Sequence, residues 1–353
     1  MKVELYQSGN PWQRKAYSYL SEYLKNKGIR EFGLSVNDHI YRHLLLEKDG
    51  PVNFVNKRLY DLTEERFKLH KAGDRNRILT NTASSQAYCF NLFLYLNENK
   101  ELANGVFSEL MSKSVAVEHI ELEFTPNYMQ TDPFSDSFTL GQQDESIGDQ
   151  STYGGTDADV AVFYRYEGDK KGVLLIEFKF IEAEFSVCGS YKKKKEARVL
   201  CDSTDFYREL VEQQLTDSRQ QPLCGYTRYL NWQLTTKSNV LNIEKVKQSS
   251  ACPFRFGLNQ LWRNMLLAEK VAEVRGCDEF GFWVMSPQPN DDYLWKEKGA
   301  DVEDLFRVVL TVKGNQHFRK VNLEEVFARL DGLITKTTDR EWLEALKEKY
   351  MIK

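Results

Sequence analysis

Two apolar segments that alternate like neighbouring strands constrain this chain most, because three ionisable groups, Asp159, Glu177 and Lys179, are out of place among them. The first segment runs from Thr156 through Asp157, Ala158 and Asp159 to Tyr164. The second runs from Val173 to Phe180 and carries Glu177 and Lys179. Side chains alternate faces along a strand, so Leu174, Ile176, Phe178 and Phe180 share one face. Val173, Leu175, Glu177 and Lys179 share the other. Both faces begin apolar, which predicts a central strand covered on both sides. One face then ends in a carboxylate and an ammonium group two residues apart. Buried charge costs several kcal/mol unless it has a partner, and a divalent metal ion would supply one. The two segments read as a hairpin turning at Glu167–Gly172.

The chain has 353 residues, enough for one large domain or two ordinary ones. With 41% hydrophobic and 28% charged residues it has a globular composition with ample material for a core. No apolar run is long enough to span a bilayer, and Met1-Lys2-Val3-Glu4 has no signal-peptide pattern. The expectation is a cytoplasmic protein without a membrane partner. The net charge of −4 argues against bulk binding of polyanions. A local basic groove is still open to it. The candidates are Lys192-Lys193-Lys194-Lys195 with Arg198, and Arg75 with Arg77, although a lysine run is also what a solvated loop carries.

None of the six cysteines forms a CxxC pair. Disulfides are not expected in a reducing compartment. Cys188, Cys201, Cys224 and Cys252 fall between the hairpin and a later helix, where they could gather round Zn²⁺ or an iron–sulfur cluster. Buried thiols acting as small apolar side chains are the plainer explanation.

Asn10 and Pro11 predict a helix over 10–27, with an apolar stripe at Trp12, Ala16, Tyr19, Leu20 and Tyr23. Residues 28–80 read as short helices and loops. Further helices are expected from Ser84 or Ser85 onward and over 102–111, and clean alternation over 117–124 predicts a strand. A polar loop follows at 127–155. After the hairpin and an irregular stretch at 181–250 come a strong helix at 256–268 and strands at 280–285 and 308–312. Amphipathic helices at 323–334 and 339–350 close the chain. The order helix, strand, strand, strand, helix, strand predicts an α/β fold: a mixed central sheet flanked by helices, with helical N- and C-terminal additions. The expected regions are an N-terminal helical region (1–80), a core (81–300), and a C-terminal strand and helices packed on it (301–353).

An odd-numbered hairpin loop, such as 167–171, sets Asp159 opposite Lys179 and on the face of Glu177. An even loop puts Asp159 on the wrong face unless a bulge intervenes. Asp157 has the same parity and is a spare ligand. Two carboxylates plus water suit Mg²⁺, with Mn²⁺ as a substitute. Such an ion can generate hydroxide and shield charge at a phosphate. Lys179 would orient the attacking water or stabilise developing charge. This set fits phosphodiester hydrolysis, although a bare Glu-x-Lys is also a common surface pair.

Asp159 followed by Glu177-Phe178-Lys179, on consecutive strands after a helix and a strand, resembles the PD-(D/E)XK nuclease superfamily over roughly residues 85–290. Three stretches resemble bacterial restriction-endonuclease-like proteins more closely: Ser84-Ser85-Gln86-Ala87, Thr156-Asp157-Ala158-Asp159 and Gln260-Leu261-Trp262-Arg263-Asn264. The resemblance implies a restriction-endonuclease-like αβββαβ core, metal binding by Asp159 and Glu177, and a catalytic Lys179. Ala158 stands where the motif has proline, which leaves the choice between Asp157 and Asp159 open. Such nucleases often carry a further acid from the first core helix or strand. Glu101, Glu109, Glu118 and Glu121 are candidates, Glu121 as a metal ligand, and a solvent-facing strand would explain Glu121 and Glu123 alike. Gln260 and Arg263, three apart, share a helix face. In the resembling proteins this helix flanks the active site, so Arg263 could hold a phosphate. His119 reads as structural.

The expectation is a Mg²⁺-dependent endodeoxyribonuclease whose partner is nucleic acid, most simply DNA. A homodimer is expected if both strands are cut. The rivals are a non-catalytic nucleic-acid- or protein-binding member of the same fold, and an interaction protein stabilised by zinc or an iron–sulfur cluster.

Overall fold

The computed structural model describes residues 3–69, 73–124, 157–212, 224 and 231–352. The polar loop expected at 127–155 lies outside them.

Local sequence sets where the helices start. Asn10 accepts a hydrogen bond from the Gln13 amide at 2.8 Å, and the Gln13 side chain returns one to Asn10, opening α1 (Pro11–Asn26). Helices α2 (Lys57–Leu69) and α3 (Arg75–Thr80) follow. Ser84 caps α4 (Ser85–Glu98), which leads into α5 (Lys100–Met111). The first three core strands are β1 (Val115–Phe124), β2 (Ala158–Tyr166) and β3 (Lys170–Phe178). A short helix α6 (Gly189–Lys193) precedes the long α7 (Leu258–Arg275), which ends at Gly276 with a φ of 63°. Beyond it lie β4 (Glu279–Ser286), α8 (Val302–Val309), β5 (Phe318–Asn322), α9 (Leu323–Leu333) and α10 (Thr337–Tyr350).

The five strands form one sheet in chain order. Strands β1, β2 and β3 are antiparallel, whereas β3–β4 and β4–β5 are parallel. The sheet is therefore mixed and flanked by helices, as expected. Strand β3 lies at its centre and is covered on both faces. Leu174, Ile176 and Phe178 pack in a core with α1, α4, α5, α9 and α10. Val173 and Leu175 pack in a second core with α7 and α8. Among the described residues, no helix is long and apolar enough to cross a membrane.

Two expectations need correction. The strand read over 308–312 is not formed. Val302, Phe306 and Val309 recur at helical spacing, and the Asp301 side chain caps the Asp304 amide at 3.1 Å, so the segment before Leu310 is α8. The last core strand is β5 instead. The hairpin loop is odd, as required, but spans only Glu167–Asp169, with Tyr166 paired to Lys170. Glu167 and Gly168 take φ of 42° and 84°, the left-handed geometry of a tight hairpin. Continuing the Val160–Ile176 pairing by one step brings Asp159 level with Glu177, not with Lys179.

Candidate functional site

The chain past β3 is pinned from both sides. The Lys179 amide continues the ladder to the Met285 carbonyl at 2.8 Å. From α1, the Trp12 indole donates to the Phe180 carbonyl and the Gln13 amide group to that of Ile181, both at 2.9 Å. The Glu-x-Lys end of the strand therefore cannot fray into water.

Glu177 is 3% exposed and Lys179 8%. Lys179 Nζ lies 2.7 Å from Glu177 Oε1. Glu177 Oε1 also accepts from Gln260 Nε2, and Oε2 accepts from Asn264 Nδ2, both at 2.7 Å. Gln260 is held in turn by the Ser186 amide, which donates to its Oε1 at 2.9 Å. Asp159 Oδ2 accepts from the Phe178 amide at 2.6 Å. Asp159, Glu177, Lys179 and Gln260 all line a cavity of about 440 Å³, with Arg77 and Lys192 at its rim. The three groups read from the hairpin thus converge, with Asp159 turned toward the other two.

The electrostatics are those of crowded acids. Burial raises the Asp159 carboxyl well above its ordinary range, and Glu177 and Glu123 raise it further, against the pull of Lys179 and the Phe178 amide. Asp157 is exposed and is not among the residues that line the cavity. Partial desolvation, then the Glu177 charge, still raises it, while Arg263 pulls it down. Glu123 is pushed up to about 8, chiefly by burial and then by Asp157. Its Oε1 is buried without a hydrogen-bond partner.

Glu123 and Glu121 prove unlike. Glu121 is committed elsewhere: Arg66 Nη2 and His119 Nε2 each lie 2.8 Å from its carboxylate. Glu123 falls between the Leu122–Val160 and Phe124–Ala158 pairs, opposite Asp159. Its φ of 49° is left-handed, uncommon outside glycine, and it breaks the alternation. Leu122 accordingly packs in one core and Phe124 in the other. The first-strand acid beside the site is therefore Glu123, not Glu121. Glu101, Glu109 and Glu118 pair with Lys336, Arg329 and Arg165.

Gln260 and Arg263 are not the pair that shares a target. Gln260 and Asn264, one turn apart, grip Glu177, while the Arg263 charge acts on Asp157 and on the Cys188 thiol. Asn264 was legible as the i+4 partner of Gln260, but a buried carboxylate to receive both amides was not.

The cysteines do gather in part. Cys188, Cys201, Cys224 and Cys252 are all buried. The Cys252 thiol donates to Cys201, which lowers Cys201 below the usual thiol range, while burial raises Cys252 well above it. Cys224 acts electrostatically on Cys252, and Cys201 on Cys188. Among the described residues, no three histidine, cysteine or acidic side chains close tightly enough to wrap an ion unaided, here or at the hairpin.

A family model described as "Restriction Endonuclease associating with ARP" matches residues 30–351. No curated protein and no solved structure matches the chain.

Proposed function

The chain belongs to the family of restriction endonucleases associating with ARP, and on that premise we propose that it is a metal-dependent nuclease of the PD-(D/E)XK kind that hydrolyses phosphodiester bonds in DNA. The observation that carries this reading is the meeting of Asp159, Glu177 and Lys179 in one cavity at the end of the buried apolar run 173–176 of β3.

The residues suit a hard divalent cation. Asp159 and Glu123 are desolvated acids pushed toward protonation, and Glu123 Oε1 lacks a donor. A cation would relieve both conditions. Asp159 and Glu177 would hold Mg²⁺ or Mn²⁺, with Asp157 and Glu123 close by and water completing the shell. When bound, the ion supplies an activated water and shields phosphate charge. The protein's own groups do the rest. Gln260 and Asn264 fix the Glu177 carboxylate through both oxygens. Lys179, now neutralising Glu177, would swing its ammonium toward the attacking water or the charged phosphate oxygens. Arg263 would support the substrate at the Asp157 side.

The test is nicking of supercoiled plasmid by the purified chain in Mg²⁺. Glu177→Ala and Lys179→Ala should each abolish it while circular dichroism stays native. Undiminished cleavage by either variant would sink the assignment.

A further inference from the structure

The cavity has an acidic floor and two basic residues at its rim. Arg77 comes from α3 and Lys192 from α6, segments far apart in sequence that meet across the same opening. Both are exposed. The arginines near them, Arg75 and Arg198, are otherwise occupied. Arg75 lies 2.7 Å from Glu47 and 2.9 Å from Glu64. Arg198 turns back to the carbonyls of Tyr191 and Lys192, each at 3.3 Å. Among the described residues, the ion pair of Arg77 is a 3.6 Å contact with Glu182, whose carboxylate is already taken by the Ser85 hydroxyl and the Phe180 and Ile181 amides. Lys192 has no ion pair among the described residues. Of the basic candidates, Arg75 and Arg198 are engaged elsewhere, Lys193, Lys194 and Lys195 do not line the cavity, and Arg77 and Lys192 do.

An acidic floor repels a polyanion, and a net charge of −4 supplies no general attraction. A strand entering here needs local cations on either side of the floor. Resting on the nuclease reading, we propose that Arg77 and Lys192 are the backbone clamp of this site, each holding one phosphate that flanks the scissile one. Arg77, planar and forked, suits a two-point grip on phosphate oxygens, and Lys192 acts as a point charge. Phosphate contacts of this sort fix register and carry no sequence information. Discrimination among targets would come from other residues.

The experiment uses the full chain and a short fluorescein-labelled DNA duplex, with binding read by anisotropy over a range of salt concentrations without divalent metal. Arg77→Ala and Lys192→Ala should each weaken binding about equally on unrelated duplex sequences and flatten the log Kd against log salt slope by about one. The charge-keeping Arg77→Lys and Lys192→Arg should retain most of the slope. In Mg²⁺ both alanine variants should raise KM for cleavage and leave kcat within about threefold, since phosphate grip shared by ground and transition states is uniform binding. Lys193→Ala and Lys195→Ala, from the same lysine run but outside the cavity, should leave the slope unchanged.

Slopes unchanged in Arg77→Ala and Lys192→Ala, or equally flattened by Lys193→Ala and Lys195→Ala, would overturn the clamp and leave the nuclease reading standing. Wild-type protein that binds duplex with the predicted slopes but never cuts would overturn the nuclease reading and leave the clamp.

Discussion

Two buried lysines show how differently this molecule treats the same group. Burial pulls the Lys179 ammonium down, but Glu177, Glu182 and Asp159 outweigh it and hold the group above its ordinary range. Lys349, in α10, is fully enclosed and is driven well below that range by burial, with Lys27 adding a like charge. Among the described residues its Nζ donates to Asn53, to the backbone carbonyl and to Oδ1 at 2.8 Å. Enclosure with no acid facing it among the described residues pushes the amine toward its neutral form, and it ties two segments together. Enclosure beside acids yields a charge kept for use.

Exchanging both lysines for methionine separates these roles. Lys179→Met should reduce plasmid cleavage by about 100-fold or more, the scale of a lost catalytic group. It should also cost about 3 kcal/mol in urea unfolding, because Glu177 keeps its amide donors but loses its counter-charge. Lys349→Met should cost about 1–3 kcal/mol, chiefly through the buried Asn53 Oδ1 that loses the Lys349 donor, since the Asn53 carbonyl keeps that of Asn91. Cleavage per folded molecule should not change. Equal loss of cleavage from two folded variants would break the comparison.

Asn264 sharpens it. Asn264→Ala removes one of the two amides that aim Glu177, and cleavage should fall by about tenfold with a higher Mg²⁺ requirement, as for other lost supports of a metal ligand. A fall that added Mg²⁺ cannot offset at all would indicate a different role.

The smallest effect is on stability against pH. Glu123 sits near 4.5 when unfolded and about 8 when folded, so the folded state binds the extra proton between those values. Its contribution is complete below about 4.5 and is lost as pH rises through about 8. Without divalent metal, the melting temperature of the wild type should decline over that window relative to Glu123→Gln, which cannot titrate there. A parallel pair of curves would show that Glu123 does not carry the extra proton.

Most of the candidate site's geometry was legible because it obeys a local rule. Alternation alone put Glu177 and Lys179 on one face of β3, and an odd loop was enough to bring Asp159 to that face. The misreadings came where tertiary geometry overrode the pattern. Parity made Glu121 and Glu123 equivalent, but Arg66, arriving from α2, neutralised one, and a left-handed backbone turned the other out of the alternation. The β-branched run at 308–312 looked like a strand until packing of Val302, Phe306 and Val309 against the α7 side of the sheet made a helix of the segment before it.

The amino-acid order by itself determined the caps of α1 and α4, the two-faced burial of β3 and the three ionisable groups at its end, because each depends on neighbours a few residues away. Only the tertiary structure decided which acid joins Asp159, which amides hold Glu177, and which of the basic residues stay available at the cavity. Those outcomes depend on partners brought together from distant segments, and the desolvation that raises Asp159, Asp157 and Glu123 exists only once the chain has closed around them.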